Sequence, residues 1–197
     1  MRQLKHLNDY TIVLASKSPR RQQLLKDLGI EFSILTYEVD ESYPESLPSI
    51  EVAEYLAKKK LDPFFPIKDD NAIIITSDTT VCIEDEVLGK PADEADAYRM
   101  LRKLSGKMHQ VITGVAIASK DKSISFSSTT NVHFKELTDD EILHYIANYK
   151  PFDKAGAYGI QEWIGYIGID IIEGSYFNVM GLPVQRLYEE LNTFIEM

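Results

Sequence analysis

Three stretches of this chain hold residue types that can do chemistry on phosphate. The first is Ala15-Ser16-Lys17-Ser18-Pro19-Arg20-Arg21. A strand should end and a helix begin there, with Ser18 as the cap and Pro19 in the first turn. A helix start presents unpaired N–H groups and a partial positive charge, so it suits an anion. Two hydroxyls and two arginines, Arg20 and Arg21, stand at that point. Arginines in a first turn oppose the helix dipole, and a bound anion would relieve the conflict. Taken alone, a capped helix with solvated arginines explains the segment nearly as well. It is not a Walker loop, because Gly-x-x-x-x-Gly-Lys is missing.

The second stretch is Ile73-Ile74-Ile75-Thr76-Ser77-Asp78-Thr79-Thr80. Asp78 reads as a carboxylate at the end of an apolar strand, where α/β sheets open into crevices. It could bind a hard cation or take a proton from water. A turn aspartate capping its own backbone is an equal alternative.

The third set is scattered. Glu41 follows the second strand and could share a metal with Asp78. Lys58-Lys59-Lys60 lies on a helix, where such a run is usually a solvated face. Lys90-Pro91 puts an ammonium at a helix start. Lys154-Ala155-Gly156-Ala157-Tyr158-Gly159-Ile160-Gln161 permits close backbone approach to a ligand, and Gln161 could then read a base edge. His109 reads as a structural histidine rather than a general base. Trp163 and Tyr158 could stack on a base, although packing is the plainer expectation.

The elements that must carry these residues alternate. Thr11 to Ala15 is a buried strand, and a helix from Pro19 ends at Gly29. Glu31 to Thr36 is a second strand. A helix from about Ile50 to Leu61 is stopped by Pro63 and Pro66. Ala72 to Thr76 is strand, and Glu84-Asp85-Glu86 is a hairpin tip. A helix after Pro91 closes at Gly106, with Ala97, Met100, Leu101 and Leu104 as its stripe. Val111 to Ser119 and Ser123 to Phe134 form a long hairpin. Thr138 to Glu141 is a capping box that opens another helix. Ile164 to Ile172 reads as strand, and Pro183 opens the last helix. The sum is α/β with a mixed central sheet flanked by helices, and no linker divides it.

Composition bounds the partners. The 197 residues suit one domain, or two lobes sharing a cleft. The formal net charge is -10, from 21 Lys plus Arg against 31 Asp plus Glu, so no basic footprint for nucleic acid exists. A small anion would need local cations, a helix start or a metal. The single cysteine, Cys82, sits in an apolar run and reads as buried. The four histidines, His6, His109, His133 and His144, make no metal-ligand pair. No stretch has signal-peptide or membrane-span length, so a cytoplasmic location without membrane contact is expected.

Together the segments resemble the Maf family. Ser16-x-Ser18-Pro19-Arg20-Arg21 is similar to its opening motif. Ser77-Asp78-Thr79-Thr80-Val81 resembles its Ala-Asp-Thr-x-Val, with Ser77 for Ala. Gly89-Lys90-Pro91, Ser105-Gly106-x-x-His109-x-Val111-x-Thr113-Gly114-Val115, Lys150-Pro151-x-Asp153 to Gln161, and Gly174-Ser175-Tyr176-x-Asn178-Val179-x-Gly181-Leu182-Pro183 follow in order. An ordered set of this kind is far more specific than any one motif.

The resemblance implies an elongated, ITPase-like α/β fold with two lobes around a cleft. It implies hydrolysis of a nucleoside triphosphate between the α- and β-phosphates, with a divalent cation, Mg²⁺ or Mn²⁺. Asp78 matches the family's proton acceptor. Ser16, Arg21, Glu41, Lys60 and Lys90 match positions expected at phosphate, metal or water. Lys60 aligns with the lysine of Leu-Ala-x-x-Lys-Ala, where Leu61 replaces the final Ala. Arg20, Thr79 and Gln161 match positions linked to substrate choice. Asp78-Thr79 and the later Gln161 resemble the subgroup acting on dTTP and UTP; the subgroup for methylated guanine nucleotides carries Gln and Glu there. A nucleotide-binding regulator without turnover would use the same cations. The family also admits a homodimer.

Overall fold

A computed structural model describes Leu7 and residues 9–196 of the chain, so His6 and most of the opening charged segment lie outside the described residues. In chain order the elements are β1 (Thr11–Leu14), α1 (Pro19–Asp27), β2 (Ser33–Ile34), α2 (Val52–Lys59), β3 (Ala72–Ile83), β4 (Glu86–Leu88) and α3 (Glu94–Leu104). They continue with β5 (Met108–Ala118), β6 (Ser123–Phe134), α4 (Asp139–Tyr149), α5 (Trp163–Gly168), β7 (Ile169–Glu173), α6 (Tyr176–Met180) and α7 (Val184–Glu196).

The sheet runs β2-β1-β3-β5-β6-β7, with β4 also paired to β3. β1 is parallel to β2 and β3, while β3, β5, β6 and β7 are antiparallel to one another in turn. The mixed α/β architecture expected from the sequence is therefore observed. Along β3 the side chains alternate between faces. Ile73 and Ile75 join Ile12, Leu14, Leu25, Leu187 and Leu191 in a cluster formed with α1 and α7. Ile74 joins Val13, Ala57, Leu61 and Ala116 in a cluster formed with α2. A third cluster, centred on α3 and α4, holds Val81, Leu101, Leu104, Tyr145 and Ile164.

Three expectations need correcting. Asp78 is not at a strand end, because β3 is 12 residues long and runs on to Ile83. What ends is its neighbour: β1 pairs only as far as Leu14 with Ile75, and β4 joins only at Val81 with Leu88. Between those points β3 is paired on the β5 side alone, and its open edge does the work expected of a strand terminus. The Ile164 to Ile172 run is also not one strand. Trp163–Gly168 is helical, with Ile164 and Gly168 buried one turn apart, and strand begins at Ile169. An apolar run of that length has no periodicity that separates buried helix from strand. Finally, the second strand is only Ser33–Ile34, since just two residues find partners on β1.

Candidate active site

The alternation along β3 sets the site. Even positions face α2: the Thr76 hydroxyl donates to the Ala57 carbonyl at 2.6 Å, and Asp78 accepts from the Lys60 ammonium. Odd positions face α1 and α6: the Ser77 hydroxyl and the Arg21 Nε both donate to the Gly181 carbonyl, at 3.3 and 2.8 Å. A one-residue slip of β3 would exchange the two sets.

Lys60 caps the C-terminus of α2. Its three consecutive lysines point in three directions, as successive helical positions must. Lys58 pairs with Glu54 at 3.0 Å on the surface. Lys59 reaches Asp40 at 3.3 Å and the Ser42 carbonyl at 2.8 Å, tying the preceding loop to α2. Lys60 turns inward to Asp78 and to Glu41, the latter at 2.8 Å. The expectation of a solvated run holds for Lys58 and fails for Lys60.

Asp78 is 9% exposed, and one ammonium serves both it and Glu41. Burial alone would raise the Glu41 pKa. The hydrogen bond and charge of Lys60, with the charges of Lys90 and Arg21, outweigh that and hold it below the usual carboxylate value. Lys90 approaches Glu41 at 3.9 Å from the open side, with 61% of its side chain exposed.

On the opposite wall, Ser18 caps α1 and Pro19 occupies its first turn, as expected. Ser16 is buried and accepts from the Ser18 N–H at 3.2 Å. Arg21 is more tightly held than a solvated arginine. It donates to the Gly181 carbonyl, to the Ser77 carbonyl at 2.9 Å and to the Thr79 hydroxyl at 2.9 Å. Desolvation lowers its pKa, opposed by Asp78 and Glu41, and the guanidinium stays charged at neutral pH. It therefore clamps β3 to α6 while lending positive potential to the cleft. Thr79 in turn shares a hydrogen bond with Thr113 at 3.0 Å.

All nine residues singled out above — Ser16, Arg20, Arg21, Glu41, Lys60, Asp78, Thr79, Lys90 and Gln161 — line one cleft of about 1000 Å³. Tyr158 and Gly159 also line it, whereas Trp163 does not and packs beside His144 instead. Gln161 Oε1 is buried without a hydrogen-bond partner among the described residues. Cys82 is buried and its thiol pKa is raised by that burial, in keeping with a structural role.

His109 is buried behind the cleft wall, with Nε2 at 2.7 Å from the Tyr158 hydroxyl. Desolvation, helped by His133, lowers its pKa to about 3. It is neutral at working pH and does not itself line the cleft, which it meets only through Tyr158. This gives a stability prediction. The unfolded histidine titrates near 6.5, so between about 6.5 and 3 the unfolded chain binds a proton that the folded one refuses. Stability should fall as pH drops through that window, by up to roughly 1.4 kcal/mol per pH unit from this group. Urea midpoints of wild type and His109→Asn, measured from pH 7 to 4, should converge as pH falls. A parallel pair of curves would show that His109 is not the group.

The sequence reading missed Asp153 and Lys154 as site residues. Both line the cleft, Asp153 pairs with Arg20 at 3.0 Å, and Lys154 is only 7% exposed. The available signal was two adjacent charges opening an otherwise small and apolar stretch.

Among the described residues no group of three or more His, Cys, Asp or Glu is arranged to cage a metal. No helix there is long and apolar enough to cross a membrane.

The chain is similar to known proteins. Residues 11–194 match the family profile described as Maf-like protein. A dTTP/UTP pyrophosphatase of Parabacteroides distasonis is 53% identical over 97% of this chain and 100% of that protein. One from Phocaeicola vulgatus is 53% identical over 95% of this chain and 98% of that protein. One from Porphyromonas gingivalis is 48% identical over 98% of both. Among solved structures, the Staphylococcus aureus Ham1 protein superposes with a TM-score of 0.55 at 16% identity, covering 93% of this chain and 99% of that one, which is a likeness of fold.

Proposed function

The chain belongs to the Maf family, and from that footing we propose that it hydrolyses dTTP and UTP to the monophosphate and pyrophosphate. The observation that carries the chemical part is the centre formed by Asp78, Lys60 and Glu41 inside a cleft also lined by Arg20, Arg21 and Lys90. A triphosphate brings several negative charges. In a chain of net charge -10 it needs a local concentration of cations, and this cleft supplies one.

In this reading the triphosphate lies against Lys60, Lys90 and Arg20, with the fixed charge of Arg21 behind them. Asp78 takes a proton from the attacking water. Lys60 steadies that carboxylate, and Lys90, being exposed, can follow the leaving phosphates. Most of the rate then comes from positioning and charge stabilisation.

A divalent cation fits the donor set. Asp78 and Glu41 are brought together on the Lys60 ammonium, each with a second carboxylate oxygen that Lys60 does not take, and Mg²⁺ commonly takes one or two carboxylates together with substrate phosphates and water. The scarcity of further protein ligands agrees with a metal that arrives with its nucleotide. When bound it would supply charge neutralisation and a polarised phosphate oxygen. Mg²⁺ and Mn²⁺ both meet these demands. The reading places the enzyme in the cytoplasm with its nucleotides.

The base preference rests on the relatives' names and on Gln161. A buried carbonyl oxygen without a donor suits the N3–H of uracil or thymine, whereas cytosine offers an acceptor at that position. The test is pyrophosphate release with Mg²⁺ from dTTP, UTP, CTP and 7-methyl-GTP. Turnover of dTTP and UTP should exceed that of CTP by roughly tenfold or more. Fastest turnover of 7-methyl-GTP would transfer the enzyme to the methylated-nucleotide class. Binding of every nucleotide without product would leave a regulator.

A further inference from the structure

Five side chains outside the Asp78 centre form one continuous chain of contacts along the cleft wall. Arg20 donates to Asp153 Oδ2 at 3.0 Å. The other Asp153 oxygen accepts from Lys154 at 2.7 Å. Lys154 also pairs with Glu162 Oε1 at 3.0 Å. Glu162 Oε2 accepts from the Tyr145 hydroxyl, and that hydroxyl oxygen accepts the Gly159 N–H at 3.0 Å. The chain starts at a cleft arginine on α1 and ends at the backbone two residues before Gln161.

An exposed ion pair alone would contribute little, and Asp153 is 60% exposed. Its second oxygen changes the case. Lys154 retains only 9% of its side-chain exposure and is itself gripped by Glu162, so the carboxylate is fixed from behind. Burial would raise the Asp153 pKa, but the hydrogen bonds from Lys154 and Arg20 outweigh it and keep the group ionised. The two cations and two anions cancel, so the chain adds no net repulsion toward a triphosphate. What it adds is order. A free arginine carries rotamer entropy, which a ligand must otherwise overcome.

We propose that Asp153 is a positioning residue: backed by buried Lys154, it holds Arg20 in its nucleotide-binding orientation and ties that arginine to the wall carrying Gln161. The proposal rests on the nucleotide reading above for its ligand. Asp153 touches no reacting atom in this account and acts through Arg20.

The test uses the whole chain and the non-hydrolysable probe α,β-methylene-UTP, so that binding is read independently of turnover. Calorimetric Kd values are taken for wild type, Asp153→Asn, Arg20→Ala and the double variant. Asp153→Asn should weaken binding roughly tenfold, and raise KM for UTP similarly with kcat within about twofold. In the Arg20→Ala background the same change should have no further effect, because the residue it positions is gone. An unchanged Kd, or an equal additional loss in both backgrounds, would overturn the proposal. Should Asp153→Asn fail to fold, Asp153→Glu keeps the charge but displaces it by one methylene. It should weaken binding a fewfold, again only when Arg20 is present. Wild-type binding without turnover would count against the enzymatic reading and leave this cycle interpretable.

Discussion

Asp78→Asn should leave a folded protein whose kcat for UTP is lower by roughly 10²- to 10⁴-fold, the range expected for loss of a general base. The fold should survive because Asn is isosteric and Lys60 retains Glu41 at 2.8 Å. KM should change far less, since Arg20, Lys90 and the Gln161 wall are untouched. The chemistry behind the size of the effect is local. Asp78 is the one carboxylate on the α2 face at the open edge of β3, and the amide that replaces it cannot accept the proton from water. Steady-state kinetics alongside a thermal melt checks this. A normal melt with near-normal kcat would remove Asp78 from its role.

Gly114→Ala should be among the most damaging changes away from the charged groups. Gly114 is the β5 partner of Asp78, on the face that carries α2. A Cβ there would lie 2.3 Å from the Ala53 carbonyl oxygen and 2.4 Å from the Glu54 Cα. Both are backbone atoms, so no side chain can rotate away and α2 must lift or tilt. Val52, Ala53, Leu56 and Ala57 are all buried beneath that helix, and Lys60 ends it. Overpacking of this kind costs typically 1–3 kcal/mol and more when backbone must move. A shift of about 1 Å in Lys60 relative to Asp78 could remove a further 10²-fold of activity in the folded fraction. Denaturant melts should show a loss of at least roughly 3 kcal/mol, and kcat of the folded remainder should fall. Wild-type stability and kcat would mean that α2 does not bear on Gly114 as described.

The sequence carried much of this and stopped at identifiable places. The α1 start was readable because Ser18 and Pro19 are local signals that need no tertiary partner. The Thr138 capping box was readable for the same reason, and it forms as expected. Asp78 was found by residue type and motif but misplaced at a strand end. What exposes it is the absence of β1 and β4 beside residues 76–80, a property of pairing between distant segments. Lys60 was picked out of its lysine run by the family resemblance alone, because only the angle of α2 on the sheet separates it from Lys58 and Lys59. Arg21 was expected to present itself to an anion, yet three scaffold acceptors hold it, two of them backbone carbonyls that have no sequence signature. The turn from Trp163 to Gly168 escaped because Gly165 packs against the Ile160 carbonyl, a contact no apolar pattern encodes. Asp153 and Lys154 were read as part of a motif, while their link to Arg20 spans 133 residues of sequence.

The most direct measurement is the identity of the products. Phosphorus NMR of UTP incubated with the protein and Mg²⁺ should show the three triphosphate signals giving way to UMP and pyrophosphate, and far slower change over the same time in a parallel sample of Asp78→Asn. Accumulation of UDP with inorganic phosphate, or an unaltered UTP spectrum from folded wild type, would contradict the account.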